Sequence, residues 1–268
     1  MKVLGAGDNV FDRYATLRTQ FPGGNAVNVA VFAARLGVPA AYFGRVGSDD
    51  LGSALRDYLQ AEGVDVTMLR VVEGRTATAD VDLVGNDRVF IRSDKGVALF
   101  EPSEADLQAM ADFDVVHAGY AGSLRPHIHA MAARTLVSFD FGARYDFAET
   151  LQFARHLHLA SYSAGDRTDE EARRMVVQAV DAGAKYALAT RGAAGSVFAS
   201  SDGVHTQPAH PVRVVDTLGA GDAFIACLLV GLLRGEDIRS TLPAAAANAA
   251  HACFEHGAFG YGRPYAPE

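Results

Sequence analysis

Six short apolar runs, MKVLGAG, AAYFGRVG, DVVHAG, LVSFDFG, HLHLASYS and KYALATRG, each end in polar or glycine-rich residues. Between several of them lie helix-length segments: AVNVAVFAARLG, SALRDYLQAEG, SEADLQAMADF and DEEARRMVVQAVDAG. A short continuous apolar run reads as a strand covered on both faces, and regular alternation with helices calls for crossover connections. The pattern predicts an α/β fold with a doubly wound central sheet flanked by helices. Ligands of such sheets bind beyond the carboxyl ends of the strands. The glycines and acids of this chain gather there.

One region breaks the rhythm. RTATADVDLVGNDRVFIRSDKG, residues 75–96, alternates polar and apolar residues on both sides of a Gly-Asn-Asp turn, which predicts a hairpin. It reads as a small β lid over the site or as a homodimer contact. No linker divides the chain, so residues 1–268 read as one domain. Net charge is −8 and no basic block is present, which argues against a nucleic-acid partner. The two cysteines, Cys227 and Cys253, sit in apolar segments, as buried thiols of a reducing compartment do. The start of the chain lacks an apolar signal region, and the most apolar stretch, 223–233, is too short to span a bilayer. The expectation is a cytoplasmic protein with no membrane partner.

DTLGAGDAF, residues 216–224, runs directly into the apolar stretch AFIACLLVGLL. A glycine turn opening a helix presents unpaired N–H groups and a dipole that favours negative charge. Asp222 therefore places a carboxylate where an anion should bind. A helix cap and a tight turn would account for the motif alone. Three further clusters have the same ambiguity. In GDNVFD, Asp8 and Asp12 either accept from the hydroxyls of a sugar or cap a turn. In PGGNAVNVA, Gly23 and Gly24 admit close backbone approach, while Asn25 and Asn28 share a helix face. In ATRGAAGSVF, Thr190, Gly192 and Gly195 form either a phosphate-holding turn or a plain hairpin.

Taken in order, GGNAVNVAVFAARLG and DTLGAGDAFIACLLVGLL resemble the two signature regions of the ribokinase-like sugar kinases, the PfkB family. The similarity runs over nearly the whole chain. GDNVFDRY, FPGGNAVNVAVFAARLG, NDRVF with the following KGV, and FDF resemble its fructosamine-directed branch. The resemblance implies an ATP- and Mg²⁺-dependent kinase acting on a primary hydroxyl, for that branch the 6-hydroxyl of fructoselysine or another fructosamine. It implies that Asp222 is the general base and that Gly219, Ala220 and Gly221 form the anion hole. Asp8, Asp12, Gly24, Asn25 and Asn28 would bind the sugar, with Arg88 and Arg144 as further positive candidates. Thr190, Gly192, Gly195 and Asn248 would lie along the nucleotide. Asp216 matches a family position associated with a monovalent cation such as K⁺.

There are departures from the family pattern. Where Asn-x-x-Glu is common, this chain reads SYSAGDRTDEE, which leaves Ser163 and Asp166 for the Mg-linked role. Asp140-Phe-Gly-Ala-Arg144 lacks the asparagine of Asp-x-Asn-x-Arg. A fructokinase, ribokinase or nucleoside kinase would share the phosphate machinery and differ in the pocket. A non-catalytic sugar sensor would have no need of the intact Gly-Ala-Gly-Asp. An NAD-binding protein fits poorly, since Gly5 and Gly7 are not followed by the third glycine of that fingerprint.

Overall fold

The computed structural model describes residues 1–84, 87–143 and 145–266, with the side chains of 82–90 outside the described set. In chain order the strands are β1 (Val3–Gly7), β2 (Val10–Tyr14), β3 (Thr19–Gly23), β4 (Ala40–Gly47), β5 (Leu69–Val72), β6 (Thr78–Val84) and β7 (Asp87–Asp94). They continue as β8 (Val115–Gly119), β9 (Leu136–Asp140), β10 (Leu159–Ser163), β11 (Tyr186–Thr190), β12 (Ser196–Ser200), β13 (Gly203–Gln207) and β14 (Arg263–Pro264). The helices are α1 (Asn25–Arg35), α2 (Asp50–Ala61), α3 (Glu104–Ala109), α4 (Ile128–Ala132), α5 (Phe147–Leu151), α6 (Asp169–Asp181), α7 (Ala220–Arg234) and α8 (Ile238–Ala252).

Nine strands form the large sheet in the order β13-β12-β11-β10-β9-β8-β1-β4-β5. From β11 to β5 every neighbouring pair is parallel, and β12 and β13 complete the edge as antiparallel strands. The apolar runs are continuous because both faces are covered. Val3 packs with Phe32 of α1 and Leu228 of α7, whereas its neighbour Leu4 packs on the opposite side with Ile128 and Met131 of α4. Side chains that alternate across a strand thus enter two separate cores. The remaining face of α1 carries Val27 and Val31 against Leu55 and Leu59 of α2.

The hairpin expected over 75–96 is present as β6 and β7, although residues 85 and 86 at its turn lie outside the described residues. It does not stand alone. A five-stranded second sheet runs β14-β3-β2-β6-β7. Its strands β2 and β3 come from GDNVFDRYATLRTQFPGG, which the acids and glycines obscure as strand sequence. Among the described residues no helix is long and apolar enough to cross a membrane. Cys227 and Cys253 are both free thiols, Cys253 buried and Cys227 partly so.

Asp49 ties the two sheets' connections together. As the N-cap of α2 it accepts from the Gly52 N–H at 2.9 Å, and it also accepts from the N–H and hydroxyl of Thr76 at 2.9 and 2.6 Å. Burial alone would raise its pKa, but the Thr76 and Gly52 hydrogen bonds outweigh it and hold the carboxyl below its ordinary 3.8. Asp49→Ala should therefore cost about 1–3 kcal/mol at pH 7, measured by urea unfolding. A carboxyl with a depressed folded pKa stabilises above its ordinary value. The deficit should persist down to about pH 4 and close only as the parent's own carboxylate is protonated below it.

Candidate active site

Parallel neighbours carry their carboxyl ends to one edge of the large sheet. The registers Gly119–Asp140 and Ser163–Thr190 align β8 with β9 and β10 with β11 along that edge. Asp8 follows β1 there. Asp140 pairs with Ser161, two residues short of the Ser163–Thr190 pair, so Thr190 lies two strands across and two residues along, roughly 12 Å from Asp140.

The edge is met by the openings of two helices. Gly24 precedes α1 with φ 113°, and a Cβ there would sit 2.7 Å from the Asn9 Cα, so only glycine brings the helix this close. The α1 N–H groups of Asn25 and Ala26 donate to the two Asp8 oxygens at 2.8 and 3.3 Å. Gly219 precedes α7 in the left-handed region, φ 77°, against Ala258. The Ala220 N–H turns back to the Thr217 carbonyl at 3.3 Å, and Ala223 makes the first intrahelical bond, to Gly219. The N–H groups of Gly221 and Asp222 lie between them, in the turn whose donors a helix cannot satisfy itself. Beside Gly221 the space is open.

Asp222 is held between two asparagines of α1. Asn25 Nδ2 donates to Asp222 Oδ1 at 2.7 Å, and Asn28 Nδ2 donates to Asp222 Oδ2 at 2.6 Å. Asn25 Nδ2 also donates to Asp140 Oδ2 at 3.0 Å. Asp12, on β2, lies beside Asn28: a Cβ on Gly23 would be 3.1 Å from the Asp12 carboxylate and 3.7 Å from the Asn28 carbonyl oxygen. Four acids and two asparagines thus converge from β1, β2, β9, α1 and α7. Apart from Asp222 these side chains are buried.

Their electrostatics follow from burial. Desolvation pushes the Asp140 carboxyl up to about 7; the Gly142 N–H opposes this, while the Asp222 and Asp8 charges reinforce it. Burial also raises Asp8, against its α1 hydrogen bonds and the Lys95 charge. A carboxyl protonated more readily in the folded chain stabilises the fold at low pH, and that contribution vanishes as the pH rises through 7. The thermal midpoint of the ligand-free protein should fall by on the order of several degrees from pH 5 to pH 8. Asp140→Ala should flatten that slope whatever its effect on the midpoint itself.

Of the remaining expected residues, Thr190 closes β11, and Gly192 and Gly195 adopt positive φ in the tight turn into β12. This turn is a hairpin, and it also sits at the carboxyl edge. Asn248 donates to the Ala223 carbonyl at 2.8 Å, so its N–H supports the first turn of α7. It also lines a pocket of about 470 Å³ with His251 and Phe254. Ser163 ends β10 at the edge, and Asp166, in the following turn, is exposed beside Arg167. The side chains of Arg88 and Arg144 lie outside the described residues.

Asp216 departs from the cation expectation. Its Oδ2 accepts from the Tyr14 hydroxyl at 2.6 Å and the Gly257 N–H at 3.1 Å, and its Oδ1 accepts from the Leu218 N–H at 3.0 Å. The His256 ring lies 4.0 Å away. A monovalent cation wants converging oxygens, and this carboxylate is met by donors instead. In this arrangement Asp216 joins β2, the opening of α7 and the loop after α8.

Sequence reasoning passed over His117 and Ser138. Each is a polar residue inside an otherwise apolar strand, in VVHAG and LVSFD, and that interruption is the available signal.

Fold and family make the chain an α/β phosphotransferase with an alcohol group as acceptor. The chain belongs to the pfkB family of carbohydrate kinases, whose model matches residues 13–138 and 146–260. It is 36% identical to the fructosamine kinase FrlD of Bacillus subtilis over 99% of this chain and 95% of that protein. It is 38% identical to fructoselysine 6-kinase of Escherichia coli strain K12, over 97% of this chain and all of that one. The fold matches Arabidopsis thaliana ribokinase complexed with ribose and ATP, with a TM-score of 0.81, 22% identity and coverage of 96% and 94%.

Proposed function

We propose that the protein transfers the γ-phosphoryl group of ATP to the 6-hydroxyl of fructoselysine or a closely related fructosamine. The observation that carries this reading is Asp222, fixed by Asn25 and Asn28 at the glycine opening of α7. The near-full-length similarity to a fructosamine kinase and a fructoselysine 6-kinase supports the acceptor. So does charge: a sugar–amine adduct is cationic, and Asp8, Asp12, Asp140 and Asp222 surround the place it would occupy.

In this mechanism Asp222 takes the proton of the sugar hydroxyl as its oxygen bonds to the γ-phosphorus and the bond to ADP breaks. The N–H groups of Gly219 and Gly221 would face the charge on the transferring oxygens, and the Ala220 N–H, turned to Thr217 in the resting chain, would have to swing round to join them. Asp8, Asp12, Gly24, Asn25 and Asn28 orient the sugar, while Thr190, Gly192 and Gly195 lie along the nucleotide phosphates. A ribokinase II of Escherichia coli of the same fold was solved in complex with ATP and Mg²⁺. Here Ser163 at the end of β10 and Asp166 in the exposed turn after it would offer oxygens to a hard cation that takes most of its ligands from water and phosphate. It would neutralise phosphate charge when bound. The second sheet, placed beside the site by Asp12 on β2, acts as the lid of a single kinase unit.

A coupled ADP-release assay with Mg-ATP against fructoselysine, other fructosamines, fructose, ribose and adenosine tests the reading. Turnover with fructosamines well above the others is expected. Preference for fructose, ribose or adenosine would discard the acceptor and keep the kinase. No turnover with any of them would favour a sugar sensor.

A further inference from the structure

Asn25 has one amide with which to serve two carboxylates. Its Nδ2 donates to both Asp140 and Asp222, so Oδ1 must point the other way. There it meets His117 Nε2 at 2.9 Å. An amide oxygen only accepts, so Nε2 carries the ring proton. The other ring nitrogen, Nδ1, is then an acceptor, and the Ser138 hydroxyl stands 2.9 Å from it. His117 and Ser138 are register partners on β8 and β9, and both are completely buried. Burial pushes the imidazole down to about 3, so the ring is neutral at every pH at which the protein works. Neither residue reaches the edge where a substrate would sit.

We infer that His117 and Ser138 form a buried brace that fixes which way the Asn25 amide faces, and thereby keeps two N–H donors on the Asp140–Asp222 pair. The inference rests on the reading of Asp222 as the base. With Asn25 Oδ1 accepting from Nε2–H, the Ser138 hydroxyl is left to donate to Nδ1, which supports that tautomer, and the Nε2 donor makes the wrong face of Asn25 unfavourable. A turned amide would set its oxygen against Asp222 and Asp140. The pair would then have to hold a proton against the turned oxygen, and whenever that proton sits on Asp222 the base cannot accept another. These residues are positioning residues, acting through Asn25 on a site also faced by Asp8, itself near Lys95.

The test compares His117→Leu, His117→Gln and Ser138→Ala in the full chain with fructoselysine and Mg-ATP. Glutamine can return an N–H near the Nε2 position, and leucine cannot. His117→Leu is expected to lower kcat by about 10–100-fold, the loss that a misplaced site group brings, with KM for ATP within about twofold. The acid limb of kcat/KM should move to higher pH. Glutamine should recover most of the loss, and Ser138→Ala should shift the limb in the same direction by less. Equal losses in the leucine and glutamine variants, or an acid limb that stays in place in both His117→Leu and Ser138→Ala, would overturn the brace. If His117→Leu does not fold, Ser138→Ala alone decides by the same criterion. A second readout needs no turnover: ¹⁵N-histidine NMR should show His117 as the neutral Nε2–H tautomer from pH 5 to 9, with its proton resonance shifted by Asn25→Ala. An Nδ1–H ring overturns the brace and leaves the base intact. Full turnover by Asp222→Asn overturns the base while the tautomer measurement still stands.

Discussion

Asp222→Asn should lower kcat by about 10²–10⁴-fold, the range a general base contributes, while the protein still folds and binds Mg-ATP. The local geometry explains why the fold should survive. Asparagine offers one acceptor and one donor where the carboxylate offered two acceptors, so one of its two partners must turn. Asn28 is able to do so, because its Oδ1 is buried with no hydrogen-bond partner among the described residues and can take the new N–H. Asn25 keeps its bond to the remaining oxygen. Single-turnover phosphoryl transfer and calorimetry of nucleotide binding measure the two halves separately. Turnover within about tenfold of the parent would remove Asp222 from the role of base.

Gly119→Ala should be nearly as damaging, for a reason of space. A Cβ on Gly119 would lie 2.1 Å from Asn25 Oδ1 and 2.7 Å from its Cγ. No rotamer change at residue 119 relieves that contact, so Asn25 has to leave its place between His117, Asp140 and Asp222. The expected stability cost is about 1–3 kcal/mol, as for other overpacked sites, with a fall in kcat of about 100-fold. If the damage passes through Asn25, Gly119→Ala combined with Asn25→Ala should be hardly worse than Asn25→Ala alone. Additive losses would place the effect elsewhere.

The large sheet was legible because its physics is local. Runs such as VLGAG and YALAT must be covered on both faces, and helices between them leave little choice of topology. The glycine opening at 219–221 and the asparagines of α1 carried their chemistry in consecutive residues. The second sheet was legible only at its hairpin. β2 and β3 are five residues each, and β14 is two residues long and pairs with a strand some 240 positions earlier. Short, acid- and glycine-bearing strands have no period to read. The brace behind Asn25 was hidden for a related reason. His117 and Ser138 acquire meaning only from strand register and from Asn25 of α1, which precedes His117 by 92 residues in the chain. Asp216 shows the converse. The motif around it points to a cation, while its partners, Tyr14 and Gly257, stand 202 and 41 residues away.

Those separations bear on how the chain reaches its working state. Asn25 and Asp222 are 197 residues apart, and Tyr14 and Asp216 are 202 apart. Ordering a loop that long precedes any reward from the contact it closes. During synthesis the first four-fifths of the chain can gather most of its parallel strands while the reacting carboxylate is still to be made. The α1 asparagines must then wait without their acceptor until α7 docks. Competence for phosphoryl transfer is therefore a late event, gained when the two distant ends of the chain meet rather than when the sheet first forms.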